Sequence, residues 1–227
     1  MLNELTKATD SESSNATSGR GMLIVVSSPS GGGKGTLIDR VLKTVPGVSY
    51  SISYTTRAPR PGERNGREYF FVSAAEFEAM IGRSELLESA DVYGYLYGTS
   101  RAQVEKERAA GHDIILEIDV QGAESIRQLG ADAVTVFILP PSFELLRQRL
   151  VARGTDSPPD LERRLRGAPA EVEQYKDFQY VILNDDINRA SAQLASVIYA
   201  ERGRRERQEA RLKDALADFA AAQTRSR

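Results

Sequence analysis

The stretch Ser28-Pro29-Ser30-Gly31-Gly32-Gly33-Lys34-Gly35-Thr36 constrains this chain more than any other. The apolar run Met22-Leu23-Ile24-Val25-Val26 precedes it and is short enough to be a buried parallel strand. Leu37, Ile38, Val41 and Leu42 follow at helical spacing, and Pro46-Gly47 stops that run. Strand, glycine loop, lysine and helix in this order make a phosphate-binding P-loop. Glycines let successive backbone N–H groups approach a polyphosphate without Cβ clashes, and the helix start adds unpaired donors and partial positive charge. Lys34 bridges the terminal phosphates in such a loop. A glycine-rich turn that binds nothing is the plain alternative, and the flanking strand and helix argue against it. The loop departs from G-x-x-x-x-G-K-[ST] at Ser28 and at Gly35, where a hydroxyl usually touches magnesium. Thr36 or a water is left to take that contact.

At 227 residues the chain holds one good-sized domain with room for inserted subdomains. A net charge of −2 gives no global pointer to nucleic acid or an acidic membrane. The absence of cysteine excludes disulfides and thiolate metal sites. No apolar run approaches the roughly 20 residues that span a bilayer. Residues 1–19 are rich in Ser, Thr, Glu and Asn, show no signal-peptide pattern and read as a disordered tail. A cytoplasmic enzyme is the default expectation. The single histidine, His112, sits between Gly111 and Asp113 as a surface turn residue, so histidine-centred acid–base chemistry is not expected.

Taken in order, Val48 to Arg57 alternates enough to be one strand. It runs into a turn-rich segment with Pro59, Pro61 and Asn65-Gly66. Arg57 and Arg60 on this stiffened loop suit a phosphate, because each guanidinium forks onto two oxygens; a solvated basic loop is the alternative. Glu68-Tyr69-Phe70-Phe71-Val72 predicts a strong strand. Ser73 and Glu76 form a capping box, with Phe77, Met80 and Ile81 as the inward face of a short helix ended by Gly82. Leu86 to Tyr93 predicts a further strand, and Tyr93 to Thr99 is dense in tyrosine. Those rings serve either hairpin packing or a bound phosphate and base. A charged helix is expected over residues 100–110.

Asp113 to Gly122 returns to the buried-strand pattern and ends in Glu117 and Asp119. Acids at the carboxyl end of a parallel strand resemble the Walker-B arrangement that holds magnesium; a plain turn with Asp119 as helix cap is the alternative. A short helix over 123–129 and a buried strand from Ala133 to Leu139 follow. Ser142 starts a helix, Arg153 to Pro159 interrupts it, and a second helix carries Leu161, Arg164 and Leu165. Arg147, Arg149, Arg153, Arg163, Arg164 and Arg166, with no lysine among them, lie in this segment. Bidentate, permanently charged side chains on a helix–loop–helix suit a mobile phosphate cover, although several must simply be solvated. Tyr180 to Leu183 predicts the last strand, and Ile187, Leu194, Val197 and Ile198 the buried stripe of a long helix. Beyond Tyr199 charges of both signs predict a solvated helix or tail.

These motifs together resemble the bacterial guanylate kinase family from about Gly21 to Glu201. The shared pattern includes Ser28 to Lys34, Thr55 to Glu63, Asn65-Gly66, Tyr69 to Val72, Leu87-Glu88, Tyr97-Gly98-Thr99, Ile118 to Gly122, Arg149 through Arg153-Gly154, and Val181 to Asp186. The resemblance implies an α/β fold: a P-loop NTPase core with a central parallel sheet (20–53, 101–144 and 168–201), an inserted GMP-binding subdomain (54–100), a mobile lid (145–167) and a charged C-terminal helix or tail (202–227). It implies phosphoryl transfer from ATP to GMP with magnesium. Carried over by position, Ser30, Gly31, Gly32, Gly33, Lys34, Gly35, Thr36 and Asn184 face ATP. Arg57, Arg60, Tyr69 and Tyr97 hold the GMP phosphate, while Ser53, Glu88, Thr99 and Asp119 read guanine. Lys34, Arg57, Arg149, Arg153 and Arg164 stabilise the transferred group, and Thr36 and Glu117 are the metal candidates. Glu88 also makes physical sense, because one carboxylate accepts from both guanine N1–H and N2–H₂. The chain departs from the family at Gly35, at Glu117 where Asp is frequent, and at Tyr95-Leu96 where Asn-Tyr is usual. The expected partners are GMP and ATP, with no nucleic acid or membrane; a homo-oligomer is compatible with the sequence. The competing readings are a catalytically inactive protein-binding module of the same fold and a related kinase with a phosphorylated sugar as acceptor.

Overall fold

The computed structural model describes residues 19–154 and 157–225. The expected tail over residues 1–19 lies outside them except for Gly19, as do Thr155 and Asp156 in the cover loop. The chain runs β1 (Leu23–Ser27), α1 (Lys34–Thr44), β2 (Val48–Tyr50), β3 (Tyr54–Thr55), β4 (Phe70–Phe71), α2 (Ala74–Gly82), β5 (Leu86–Val92) and β6 (Tyr95–Ser100). It continues with α3 (Arg101–Ala109), β7 (Asp113–Glu117), α4 (Val120–Gln128), β8 (Ala133–Leu139), α5 (Phe143–Arg153), α6 (Pro158–Glu173), β9 (Tyr180–Leu183), α7 (Ile187–Arg202) and α8 (Arg205–Arg225).

Two sheets divide the work. The first is parallel throughout, in the order β2-β7-β1-β8-β9. Its central strand is buried along its whole length, which is why Leu23 to Val26 reads as an unbroken apolar run. Ile24 and Val26 point to one face, against Leu37 and Ile38 of α1 and Leu194 and Ile198 of α7. Leu23 and Val25 point to the other, against Val104 of α3 and Ile126 of α4. Helices on both faces leave the strand ends as the open crevice, and the glycine loop leaves β1 at its carboxyl end.

The second sheet, ordered β4-β3-β6-β5, comes from the segment inserted between β2 and α3. Its small core is Phe77, Met80 and Leu86, with Tyr54, Val72 and Leu96 packed around it. The single strand expected over Val48 to Arg57 is two strands, one in each sheet. Ser51 and Ser53 sit buried at the break, and the Ser51 N–H makes its last bond to the core sheet at Ile115 (3.0 Å). Alternation is the same on both sides of a handover, so the pattern hides it. The strand expected over Glu68 to Val72 is reduced to Phe70–Phe71. Ile81, expected inside, is 47% exposed, because α2 buries only the Phe77–Met80 side against its narrow sheet.

Alpha5 and α6 pack on each other through Leu146, Leu150 and Ala168. Alpha6 continues without a break through Gly167 to Glu173, so the expected lid boundary at 167 falls inside a helix. Alpha8 carries the charged C-terminal segment as an exposed helix. No helix among the described residues is long and apolar enough to cross a membrane.

Phe77 is fully buried, and its ring fills the space a Cβ on Gly98 would meet at 2.9 Å. Phe77→Ala is expected to lower the unfolding free energy by about 3–5 kcal/mol. Amide exchange should rise most in β3 to β6, with β1, β7 and β8 keeping their relative protection.

Candidate active site

A cleft of about 890 Å³ opens along the carboxyl ends of the core strands. Its floor is the glycine loop. Gly31 and Gly33 have φ of +86° and +90°, which only glycine takes without strain. A Cβ on Gly31 would lie 2.9 Å from Leu150 Cγ, and one on Gly33 would lie 2.5 Å from Asn184 Nδ2. The loop is therefore covered on one side by α5 and on the other by the turn after β9. Asn184 Nδ2 donates to the Gly32 carbonyl at 2.8 Å, and Arg149 Nη1 donates to the same oxygen at 3.2 Å. Arg149 Nη2 also reaches the Asn184 carbonyl at 3.1 Å. Asn184 lines the cleft, but its amide braces the loop. Lys34 opens α1 and its Nζ donates to Ser28 Oγ at 3.2 Å, so Ser28 gives the loop lysine a local acceptor.

Thr36 is exposed one residue beyond Gly35. Glu117, the last residue of β7, accepts from the Tyr50 hydroxyl at 3.3 Å. A Cβ at position 35 would lie 3.6 Å from Glu117 Oε2, so Gly35 leaves the loop open towards this carboxylate. Burial, with Glu117 adjacent, pushes the Tyr50 hydroxyl well above its ordinary range.

The opposite wall belongs to the second sheet. Glu88 of β5 and Thr99 of β6 are paired across the strands, and the Thr99 hydroxyl donates to Glu88 Oε1 at 2.6 Å. Glu88 is buried, and that burial, with the Asp119 charge nearby, pushes its carboxyl up to about 7. A Cβ on Gly122 would come within 2.6 Å of Glu88 Oε2, so a glycine in the first turn of α4 makes room for the acid. Asp119 caps α4 through Gly122 N–H (2.9 Å), and burial raises its carboxyl too. Ser53 lines the cleft from the strand break.

Arg60, Tyr69 and Tyr97 line the cleft beside them. Arg57 and Thr99 do not; each stands one layer behind. Arg57 is 7% exposed, with Nη2 held by both oxygens of Glu63 at 2.9 Å and Nε donating to the Tyr97 hydroxyl at 3.2 Å. Glu63 Oε2 also accepts the Arg60 N–H at 2.7 Å, so one carboxylate fixes both arginine positions. The Tyr69 and Tyr97 rings meet edge to face at 5.7 Å, with the Arg57 guanidinium 5.5 Å from Tyr69. Arg153 and Arg164 complete the wall from the cover, and Arg164 Nη1 donates to Ser30 Oγ at 2.7 Å.

A sequence model of the guanylate kinase family matches residues 20–201. The chain belongs to the guanylate kinase family. It is 49% identical over 197 residues to the guanylate kinase of Symbiobacterium thermophilum, covering 87% of this chain and 93% of that one. It is 53% identical over 180 residues to that of Dechloromonas aromatica, covering 79% and 89%. The crystal structure of guanylate kinase from Anaplasma phagocytophilum superimposes with a TM-score of 0.70 at 32% identity, covering 87% of this chain and 98% of that one. The family's α/β fold, with a central parallel sheet and helical insertions, is the fold found here.

The sequence assigns no site role to Glu171, offers Tyr93 only among tyrosines that serve hairpin packing or a bound phosphate and base, and gives Glu63, which stands behind the cleft lining, no partner. Glu63 was legible as an acid six residues after Arg57, on the same turn-rich loop. The pairing of Tyr93 with Glu171 is not legible, since 78 residues separate them and only the folded chain joins them.

Two glycines in one loop separate geometry from space. Gly33→Ala is expected to cost about 1–2 kcal/mol from its left-handed backbone, beyond any loss of the Asn184 bond. Gly35→Ser, whose Cβ meets only ordinary contact, should stay within about 0.5 kcal/mol of the parent. Urea unfolding of the two variants checks both.

Proposed function

We propose that this chain transfers the γ-phosphoryl group of ATP to GMP, giving ADP and GDP by direct in-line displacement. The observation that carries the reading is a P-loop facing a buried carboxylate, Glu88, across one cleft, with the Thr99 hydroxyl bonded to it from behind. The loop amides and Lys34 hold the donor phosphates. Arg60, Tyr69 and Tyr97 hold the acceptor phosphate, with Arg57, paired to Glu63, fixing the Tyr97 hydroxyl from behind. Glu88, Ser53 and Asp119 read the guanine edge, with Thr99 orienting the Glu88 carboxylate from behind. Adenine lacks the N1–H and N2–H₂ pair, and a buried acid left without those donors opposes its binding.

Phosphoryl transfer asks for alignment and charge stabilisation more than for a chemical base. Lys34, Arg149, Arg153 and Arg164 surround the position of the transferred group with fixed charge. Closing the cover, α5 and the first part of α6, excludes water as a competing acceptor. Glu117, turned towards the open side of Gly35, offers the oxygen chemistry that would hold a magnesium ion. Thr36 is the hydroxyl within the same helix turn. When bound, magnesium supplies neutralising charge on the donor phosphates.

Steady-state transfer from Mg-ATP to GMP, AMP, CMP and UMP tests the reading. Turnover is expected with GMP alone, and Glu88→Gln should cut kcat/KM for GMP by about a hundredfold. No turnover with any of the four, in a protein that still binds GMP, would return the inactive binding module to first place. AMP used as well as GMP would remove Glu88 from its role.

The raised Glu88 carboxyl adds a pH signature. Below about pH 7 it is protonated and cannot accept from both guanine donors. Guanine stabilises the ionised form, so the bound enzyme titrates lower than the free one. Hence kcat/KM for GMP should fall as pH drops through about 7, by about tenfold per unit well below it, while kcat holds to lower pH. A kcat/KM profile flat down to pH 5.5 would contradict this assignment.

A further inference from the structure

Glu171 sits on α6 two turns beyond Arg164, on the same face, and both reach Ser30. Its Oε2 accepts the Ser30 backbone N–H at 2.9 Å. Its Oε1 accepts the hydroxyl of Tyr93 at 2.6 Å. Tyr93 comes from the other side of the cleft, at the tip of the β5–β6 hairpin. One carboxylate thus ties the P-loop, the cover helix and the hairpin of the second sheet together.

Three further features fit this contact to a purpose. Tyr93 has φ of +57°, beside Gly94 at +87°. A hairpin turn with both central residues left-handed favours Asn or Gly, and an aromatic residue there carries local strain. The ring lies under two guanidinium groups, Arg163 and Arg164, each 5.3 Å from its centroid. Gly167 faces the hydroxyl, and a Cβ there would stand 2.8 Å from it. The strained tip, the cation pair and the glycine gap all bring the phenol to Glu171. Both oxygens of this acid, beside a polyphosphate-binding loop, are directed onto protein donors, which fixes where its charge sits.

We propose that Glu171 and Tyr93 are positioning residues for the donor nucleotide. The Tyr93 hydroxyl locks the Glu171 carboxylate, which holds the Ser30 segment of the P-loop and so sets the loop and Arg164 for the ATP phosphates. A residue on the GMP side of the cleft thereby controls affinity on the ATP side. The inference rests on the kinase reading above for which nucleotide occupies which side.

The test is binding of a non-hydrolysable ATP analogue with magnesium, followed by calorimetry, to the full chain and to Tyr93→Phe, Glu171→Gln and the double variant. Tyr93→Phe removes one oxygen and keeps the ring under its guanidinium groups. It should weaken the analogue by about tenfold, as for a bond to a charged acceptor. In turnover it should raise the KM for ATP and leave that for GMP within about twofold. Glu171→Gln keeps the size but offers one acceptor for two donors, and should weaken the analogue at least as much. The double variant should bind no worse than Glu171→Gln alone, since both act through one bond. Analogue affinity equal to the parent in Tyr93→Phe overturns the inference. So does a loss confined to GMP, or losses that multiply in the double variant. A lowered melting temperature with unchanged affinity and KM would show a purely structural contact and overturn it too. Turnover of GMP by the parent protein tests the kinase reading separately, so either can fail while the other stands.

Discussion

The cleft depends on how one carbonyl is held. A trans peptide points its C=O and the following N–H in opposite directions. Asn184 and Arg149 both donate to the Gly32 oxygen, and that fixes the Gly33 N–H on the side away from Asn184. Without this anchor a run of three glycines would sample many orientations, because glycine loses more backbone freedom on ordering than any other residue. The donors come from the end of β9 and from α5, so the loop is shaped by elements more than a hundred residues downstream. Packing of β9 against β8 sets the Asn184 position, and the Asn184 N–H bonds the Leu139 carbonyl at 2.8 Å. A loop that looks local is therefore a property of the whole parallel sheet.

That dependence explains what could be read from sequence. The strands β1, β7 and β8 announce themselves as short apolar runs, because helices cover them; β9 reads the same way although only Ile182 of it is buried and Val181 and Leu183 are exposed. The caps at Ser73, Ser142 and Asp119 are local, and each oxygen accepts the N–H three residues on. The handover at Ser51 to Ser53 is invisible, because leaving one sheet and entering another preserves a two-residue period. Beta4 is shorter than its aromatic content suggests. Tyr69 of that segment turns to meet Tyr97 and Arg57, while Phe70 stacks on Tyr54 at 4.9 Å, so cleft and small core draw on neighbouring residues. Positions of charge were legible and their pairings were not. Arg57 reads as a free phosphate clamp in the sequence and is a buried ion pair with Glu63 in the fold.

The cleft is lined by Lys34, Arg60, Arg149, Arg153 and Arg164, yet Glu63, Glu88, Glu117 and Glu171 stand in or beside it. Three of them have a partner that fixes or offsets the charge, each in a different way. Glu63 faces a guanidinium, which cancels its charge at short range. Glu171 is satisfied by a backbone N–H and a phenol. Glu117 takes a phenol from Tyr50 and faces the open side of Gly35, where a hard cation would turn its charge to advantage.

Glu88 is the exception, and its difference follows from its neighbours. Its partner is a neutral hydroxyl and the nearest strong charge is another acid, Asp119, so desolvation wins and the proton is held to about 7. An arginine in its place of contact would have kept it ionised and also occupied the acceptor lone pairs a base must use. On the proposed role of Glu88, leaving the acid poorly paired makes the empty pocket less stable and would transfer the gain to a ligand that brings two donors. In the proposed reading, selectivity and the raised carboxyl have one cause: a base that cannot supply those donors would meet either a buried, uncompensated charge or a protonated group in the wrong pattern.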